Sequence, residues 1–298
     1  MKKAPAASQT LMPTLALLIA MLLWASSFIA LKIDFTAYDP MVVIFGRMLV
    51  ATICFLVICK RFGRALEHYR TGDIRLILFM AFCEPCLYFI FEAKAVSNTT
   101  ASQAGIITAM MPLLVMLTAP FTLKDRVSAR TWCGALLAVA GVIWLTLNSS
   151  PAENAPNPIL GNFLEFMAMV CATGYTIALK SLTDRYSPLF LTAVQAVIGC
   201  VFFFPLVFLP STDPVTGLYP IPALAIVYLG AVITLGAYGL FNYAVKQVKA
   251  SQAANFVNLI PVFAVLLAWL ILGETFNTSQ IAAAAIIMTG VFIGNRGD

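Results

Sequence analysis

Ten apolar runs of roughly 17 to 25 residues, joined by short polar connections, dominate this chain and restrict what it can fold into. They lie near 11–31, 41–59, 74–94, 101–122, 130–147, 159–179, 188–209, 221–245, 251–272 and 280–295. A hydrocarbon core of about 30 Å needs about 20 apolar residues per helix, and in lipid each backbone polar group must be bonded within its own segment. The expected fold is therefore an all-α membrane protein of ten transmembrane helices. With 61% of residues hydrophobic and 10% charged, against about a quarter charged in an ordinary soluble domain, the chain has too little polar surface for a soluble globule. Ten spans use about 200 residues, which leaves no room for a soluble catalytic domain. The first run follows Lys2 and Lys3, but it is longer than a signal-peptide core of about 7–15 residues, so it reads as a retained helix.

The basic residues test this count, because Lys and Arg collect in cytoplasmic loops. With the N-terminus inside, the cytoplasmic segments hold Lys2, Lys3, Lys60, Arg61, Arg64, Arg70, Arg75, Lys124, Arg126, Arg130, Lys180, Arg185, Lys246, Lys249 and Arg296. The outer segments hold only Lys32 and Lys94, and Arg47 lies within the second run. A missed helix would scramble that alternation, so ten helices with both termini cytoplasmic are expected. The net charge of +5 thus orients the chain in a membrane, and no basic stripe suited to nucleic acid is needed to explain it. The seven cysteines lie in or beside apolar runs, where they act as small hydrophobes, and imply no disulfide framework. Cys83 and Cys86 have no second pair or nearby histidine, so no metal or other cofactor is expected.

The chain also matches itself. At an offset of 149, Ala101-Ser102-Gln103-Ala104 falls on Ala250-Ser251-Gln252-Ala253, Pro112 on Pro261, Asp125 on Glu274 and Gly141-Val142 on Gly290-Val291. At 148, Ile29-Ala30-Leu31-Lys32 falls on Ile177-Ala178-Leu179-Lys180, Pro40 on Pro188 and Arg47 on Gln195. Two five-helix repeats, 1–150 and 151–298, are expected, and five being odd, the second enters the membrane from the opposite side. Inverted repeats are the mark of transporters that expose one site to alternate sides.

Several residues carry a family resemblance. Trp24-Ala25-Ser26-Ser27-Phe28 resembles a W-G-S-N-F type signature, and Pro261, Leu272-Gly273-Glu274 and Gly290 resemble a P…LGE…G pattern closing each repeat. On these motifs the chain resembles the ten-helix EamA-type transporters of the drug/metabolite transporter superfamily, and in composition the bacterial inner-membrane exporters of aromatic and other amino acids. The resemblance implies a monomeric multi-pass carrier in the inner (plasma) membrane, exporting a small molecule with no cofactor. The first repeat has Lys124-Asp125 where Gly-Glu is usual, so the role of that acid is not transferred to Asp125.

Charges at membrane depth mark a pathway or a pair. Arg47, Glu84 and Glu165 are the candidates for proton coupling or for a buried pair, with Arg47 and Glu84 either bonded together or facing a substrate's two charges. Glu84, Tyr88 and Glu92 share one helix face by their spacing of four, beside Pro85. Thr234, Tyr238 and Asn242 form a second polar stripe, and Ser251, Asn255 and Asn258 a third. Trp24, Tyr88, Tyr175, Tyr238 and Trp269 are candidate cavity rings. The expected substrate contacts are Trp24, Glu84, Tyr88, Tyr175, Tyr238, Asn242, Asn255 and Asn258. They suit a small neutral amphipathic metabolite such as an amino acid, aromatic ones included. A hydrophobic cation or other drug is the alternative that Glu84 with Tyr88 keeps open. An intramembrane enzyme is disfavoured, since His68, the single histidine, lies in the basic connection 60–75.

Overall fold

The computed structural model describes residues 7–58, 72–123, 128–248, 253 and 256–295. Among these the chain is helical, with one isolated bridge between Ala152 and Ala155. The helices are α1 (Ala7–Asp34), α2 (Pro40–Ile58), α3 (Asp73–Asn98), α4 (Ala101–Ile107, resuming as Met110–Leu123) and α5 (Ala129–Leu147). They continue as α6 (Pro158–Thr183), α7 (Pro188–Phe203), α8 (Pro220–Gln247), α9 (Val257–Leu272) and α10 (Thr278–Asn295). Among the described residues, eight helices are long and apolar enough to cross a membrane, while α9 and α10 are apolar but shorter. The expected run 251–272 begins partly outside the described residues, as do Ser251, Asn255 and most of the basic segment 60–75.

The helix ends follow from local chemistry. Ser128, Asn157 and Ser187 each accept a bond from the backbone N–H three residues on, and Pro158 and Pro188 then open α6 and α7. Asn277 and Gln280 bond each other's backbone N–H reciprocally, a capping box that starts α10. Glu274 takes the backbone N–H groups of Ala101 and Ser102, both at 2.9 Å, and the Ser102 hydroxyl at 2.5 Å. A carboxylate from the end of α9 therefore caps the start of α4, where the aligned N–H groups favour an anion. Left-handed Gly273 (φ 68°) ends α9 and turns the chain so that Glu274 reaches this position.

The surface reverses the pattern of a soluble protein. Leu136, Val201, Phe208 and Leu224 are exposed, whereas Arg47, Glu84, Glu92, Asn162, Glu165 and Asn242 are buried. Helix α3 packs on α6, α8 on α1, α2 on α7, α4 on α9 and α5 on α10. Both α3 and α8 widen into a π-helical segment part-way along, Phe82–Leu87 and Leu229–Ala237. Such segments shift the helical register and concentrate at functional sites.

Candidate functional site

The two widened segments are each held by a polar group from a neighbouring helix. Arg47 of α2 donates from Nε to Thr234 Oγ1 at 2.9 Å, and Thr234 in turn donates to Leu229 O. Gln195 of α7 donates from Nε2 to the Glu84 carbonyl at 2.8 Å. At Glu84 the backbone leaves helical geometry (φ −149°, ψ 116°), which frees that carbonyl for a side-chain donor.

Between these segments lies a small cavity of about 40 Å3. Helix α1 lines it with Trp24, Ser27 and Phe28, α2 with Arg47, and α3 with Glu84, Tyr88 and Glu92. Thr108 and Met111 come from α4, Met169, Ala172 and Tyr175 from α6, Tyr238 from α8, and Val257 and Ile260 from α9. Five of the fifteen lining residues are aromatic. Trp24 meets Tyr238 edge-on at 5.0 Å and Phe241 at 4.8 Å between ring centres, and Tyr175 meets Tyr238 at 6.3 Å.

The charges are paired across helices. Glu84 accepts the Tyr238 hydroxyl. Arg47 Nη1 sits 3.6 Å from Glu92 Oε2, and the guanidinium lies over the Phe89 ring at 4.1 Å. Tyr88 donates to Glu92 Oε1 at 2.9 Å. Arg47 thus pairs with Glu92 rather than with Glu84. Because 3.6 Å exceeds hydrogen-bond length, Arg47 Nη1 and Glu92 Oε2 are both buried without a hydrogen-bond partner, as is Trp24 Nε1.

Of the expected contacts, Trp24, Glu84, Tyr88, Tyr175 and Tyr238 line the cavity. Asn242 lies behind it, accepting the Tyr175 hydroxyl at 2.5 Å and donating to Thr192 at 2.8 Å. Asn258 is half-buried and is not among the lining residues, although its neighbours Val257 and Ile260 are. Asn255 lies outside the described residues. Glu165 is fully buried in α6 but does not line the cavity, and Trp269 is exposed on the outer face. Glu92, placed on the face of Glu84 and Tyr88 but not among the expected contacts, also lines the cavity. Its spacing from Glu84 and Tyr88 was the available signal. Among the described residues no group of His, Cys, Asp and Glu is arranged to hold a metal ion.

The model of the EamA-like transporter family matches the chain twice, over residues 11–147 and 159–296. The chain belongs to that family. Among its relatives is an uncharacterized transporter of Bacillus subtilis, YcxC, 28% identical over 277 residues that cover 90% of this chain and 88% of that protein. Another B. subtilis uncharacterized transporter, YetK, is 25% identical over 252 residues, 83% of this chain and 76% of its own. A probable terminal-alkyne amino-acid exporter of Streptantibioticus cattleyicolor is 23% identical over 282 residues, 94% of this chain and 92% of that protein. A solved crystal structure, 19% identical, shares the fold with a TM-score of 0.65 over 97% of this chain and 96% of its own. This EamA-like chain is accordingly a multi-pass protein of the plasma membrane, with transporters as relatives. Within it, the Trp24-to-Phe28 motif supplies three of the cavity's lining residues.

Proposed function

We propose that this EamA-like protein is a secondary carrier that exports small amphipathic amino acids, aromatic ones included, by alternating access. The observation that carries the reading is the unbonded pair of Arg47 Nη1 and Glu92 Oε2, 3.6 Å apart in a partly aromatic cavity. An α-amino acid carries its ammonium and carboxylate on one carbon, so it needs an anion and a cation side by side. Here Arg47 Nη1, with Trp24 Nε1 as a second free donor, takes the carboxylate, and Glu92 Oε2 takes the ammonium. The rings of Trp24, Tyr175 and Tyr238 receive an apolar side chain through burial and edge-on contact. A buried polar atom without a partner is costly, and a zwitterion satisfies all three at once. The Streptantibioticus relative, a probable terminal-alkyne amino-acid exporter, supports the same substrate class.

The ten-span arrangement in two inverted repeats, 1–150 and 151–298, belongs to this proposal. It is supported by the doubled family match, and by contacts that recur in both halves. Arg47 and Gln195, aligned by the repeat, each bond the widened segment of a helix in the opposite half. Reporter fusions near residue 150 and at the C-terminus should report opposite sides of the membrane. The same side for both would remove the inverted repeat.

The deciding experiment is purified protein in liposomes, given a panel of labelled amino acids and a labelled hydrophobic cation. Saturable uptake and counterflow of L-phenylalanine or L-threonine are expected. Transport of the cation with no amino acid carried would overturn the substrate class, and flux that neither saturates nor shows counterflow would overturn the carrier.

A further inference from the structure

A second, smaller cavity shares Glu84 and Tyr238 with the first. It holds about 10 Å3, room for about one water-sized particle. Its other polar lining comes from Thr192 and Gln195 of α7 and Thr234 of α8. The Gln195 amide has one orientation, because Nε2 donates to the Glu84 carbonyl at 2.8 Å and a carbonyl can only accept. Oε1 of Gln195 is therefore left buried with no hydrogen-bond partner, and an unsatisfied acceptor at such depth is costly.

What the hydroxyl and carboxyl groups of this lining have left to offer is lone pairs. Thr192 donates its hydrogen to the Pro188 carbonyl at 2.9 Å and accepts Asn242 Nδ2 at 2.8 Å, so one lone pair remains on Oγ1. Thr234 is held in the same way between the Leu229 carbonyl and Arg47 Nε. The Tyr238 hydroxyl donates to Oε1 of Glu84, which leaves Oε2. A water in this space would find acceptors for its hydrogens but no hydroxyl free to bond its own oxygen, whereas a cation uses lone pairs alone. Charge points the same way. Arg47 pairs with Glu92, and among the described residues no cation forms an ion pair with Glu84, although a buried carboxylate without a counter-charge is strongly disfavoured. Carboxylate, amide carbonyl and hydroxyl oxygens are the ligands of hard cations, and in membrane carriers sodium is held where a helix is broken, as α3 is at Glu84.

We propose that this cavity is a sodium site, in which Glu84 Oε2, Gln195 Oε1 and Thr192 Oγ1 hold one dehydrated ion. Thr234 is left out of the set because Arg47 already donates to it, and two cations on one hydroxyl repel each other. A divalent ion does not suit the place. Calcium takes about six to eight oxygen ligands and magnesium keeps several of its waters, while this space admits one particle beside a single carboxylate. Potassium, about as large as a water molecule, leaves the oxygens no room to close on it, and sodium is smaller. The ion ties the break in α3 to α7, at the wall of the larger cavity. The site does not depend on the amino-acid reading above.

The test uses the purified protein in detergent, without substrate, in sodium-free choline chloride. Radioactive sodium should bind saturably, one ion per chain, and be displaced by unlabelled NaCl but not by KCl at the same concentration. Exchanging choline chloride for NaCl at ten times the dissociation constant should raise the unfolding temperature by about 3–6 °C, and KCl should leave it unchanged. Glu84→Gln keeps an oxygen for Tyr238 but loses the charge, so both responses should vanish. Thr192→Val should weaken sodium binding at least about tenfold, the loss of one ligand, and Thr192→Ser, which keeps the hydroxyl, should restore it. Glu165→Gln alters a buried carboxyl outside the cavity and should bind sodium as the unaltered protein does. No saturable binding, equal displacement by KCl, or full binding by Glu84→Gln would overturn the site. If Glu84→Gln does not fold, Thr192→Val decides in its place, and unchanged binding there would overturn the assignment.

Discussion

Arg47→Met is expected to abolish transport and to destabilise the protein by about 3–5 kcal/mol, the usual cost of removing one partner from a buried ion pair. The loss has three parts. Glu92 is left as a buried charge without its cation, Thr234 loses the donor that holds the widened segment of α8, and Phe89 loses the guanidinium over its ring. The double variant Arg47→Met with Glu92→Met separates stability from function. It removes both charges, and replacing a buried pair by apolar groups of similar size is often close to neutral. Its thermal unfolding in detergent should return towards that of the unaltered protein, while amino-acid uptake in liposomes stays absent. Transport by the double variant would show that the pair is only a structural tie. A single variant as stable as the parent would mean that Arg47 and Glu92 are not coupled.

That pair also shows where the sequence stops being informative. The apolar runs could be placed because their signal is length alone, which needs no knowledge of facing. Trp24, Glu84, Tyr88, Tyr175 and Tyr238 could be found because polar or amphipathic groups stand out within such runs. Which carboxylate meets Arg47 could not. Glu84 and Glu92 share a stripe on an ideal helix, and the break in α3 at Glu84 turns one towards Tyr238 while the other stays opposite Arg47. Nothing in the spacing ranks Glu92 above Glu84. Helix α9 is apolar apart from Asn258, which was read from a stripe whose other members, Ser251 and Asn255, lie outside the described residues, and Trp269 was chosen for its ring without any guide to direction. The cap that Glu274 places on α4 was equally hidden, since it joins residues more than 170 positions apart.

The second large effect is expected where the chemistry is simplest. Helices α5 and α10 meet through glycines, and a Cβ on Gly290 would lie 2.6 Å from both the Ala138 nitrogen and the Gly134 carbonyl. Both neighbours are backbone, so no side-chain rotation can relieve the clash. In a membrane, close approach of this kind supplies much of the packing that the hydrophobic effect supplies in water. Gly290→Val should therefore exceed the cost of about 1–3 kcal/mol usual for overpacking and leave little folded protein. Gly290→Ala should fall near the top of that range and remain measurable by thermal unfolding in detergent. The two helices belong to a cluster around Ala138, Ala283 and Ile287, separate from the core that surrounds the cavity. Among the described residues, none of α5 or α10 lines the cavity. Folded Gly290→Ala should then carry amino acids with an unchanged KM, and only its unfolding temperature should drop. A raised KM at full stability would place this helix pair in the transport cycle itself, because it could reach the substrate only by changing how the two halves move.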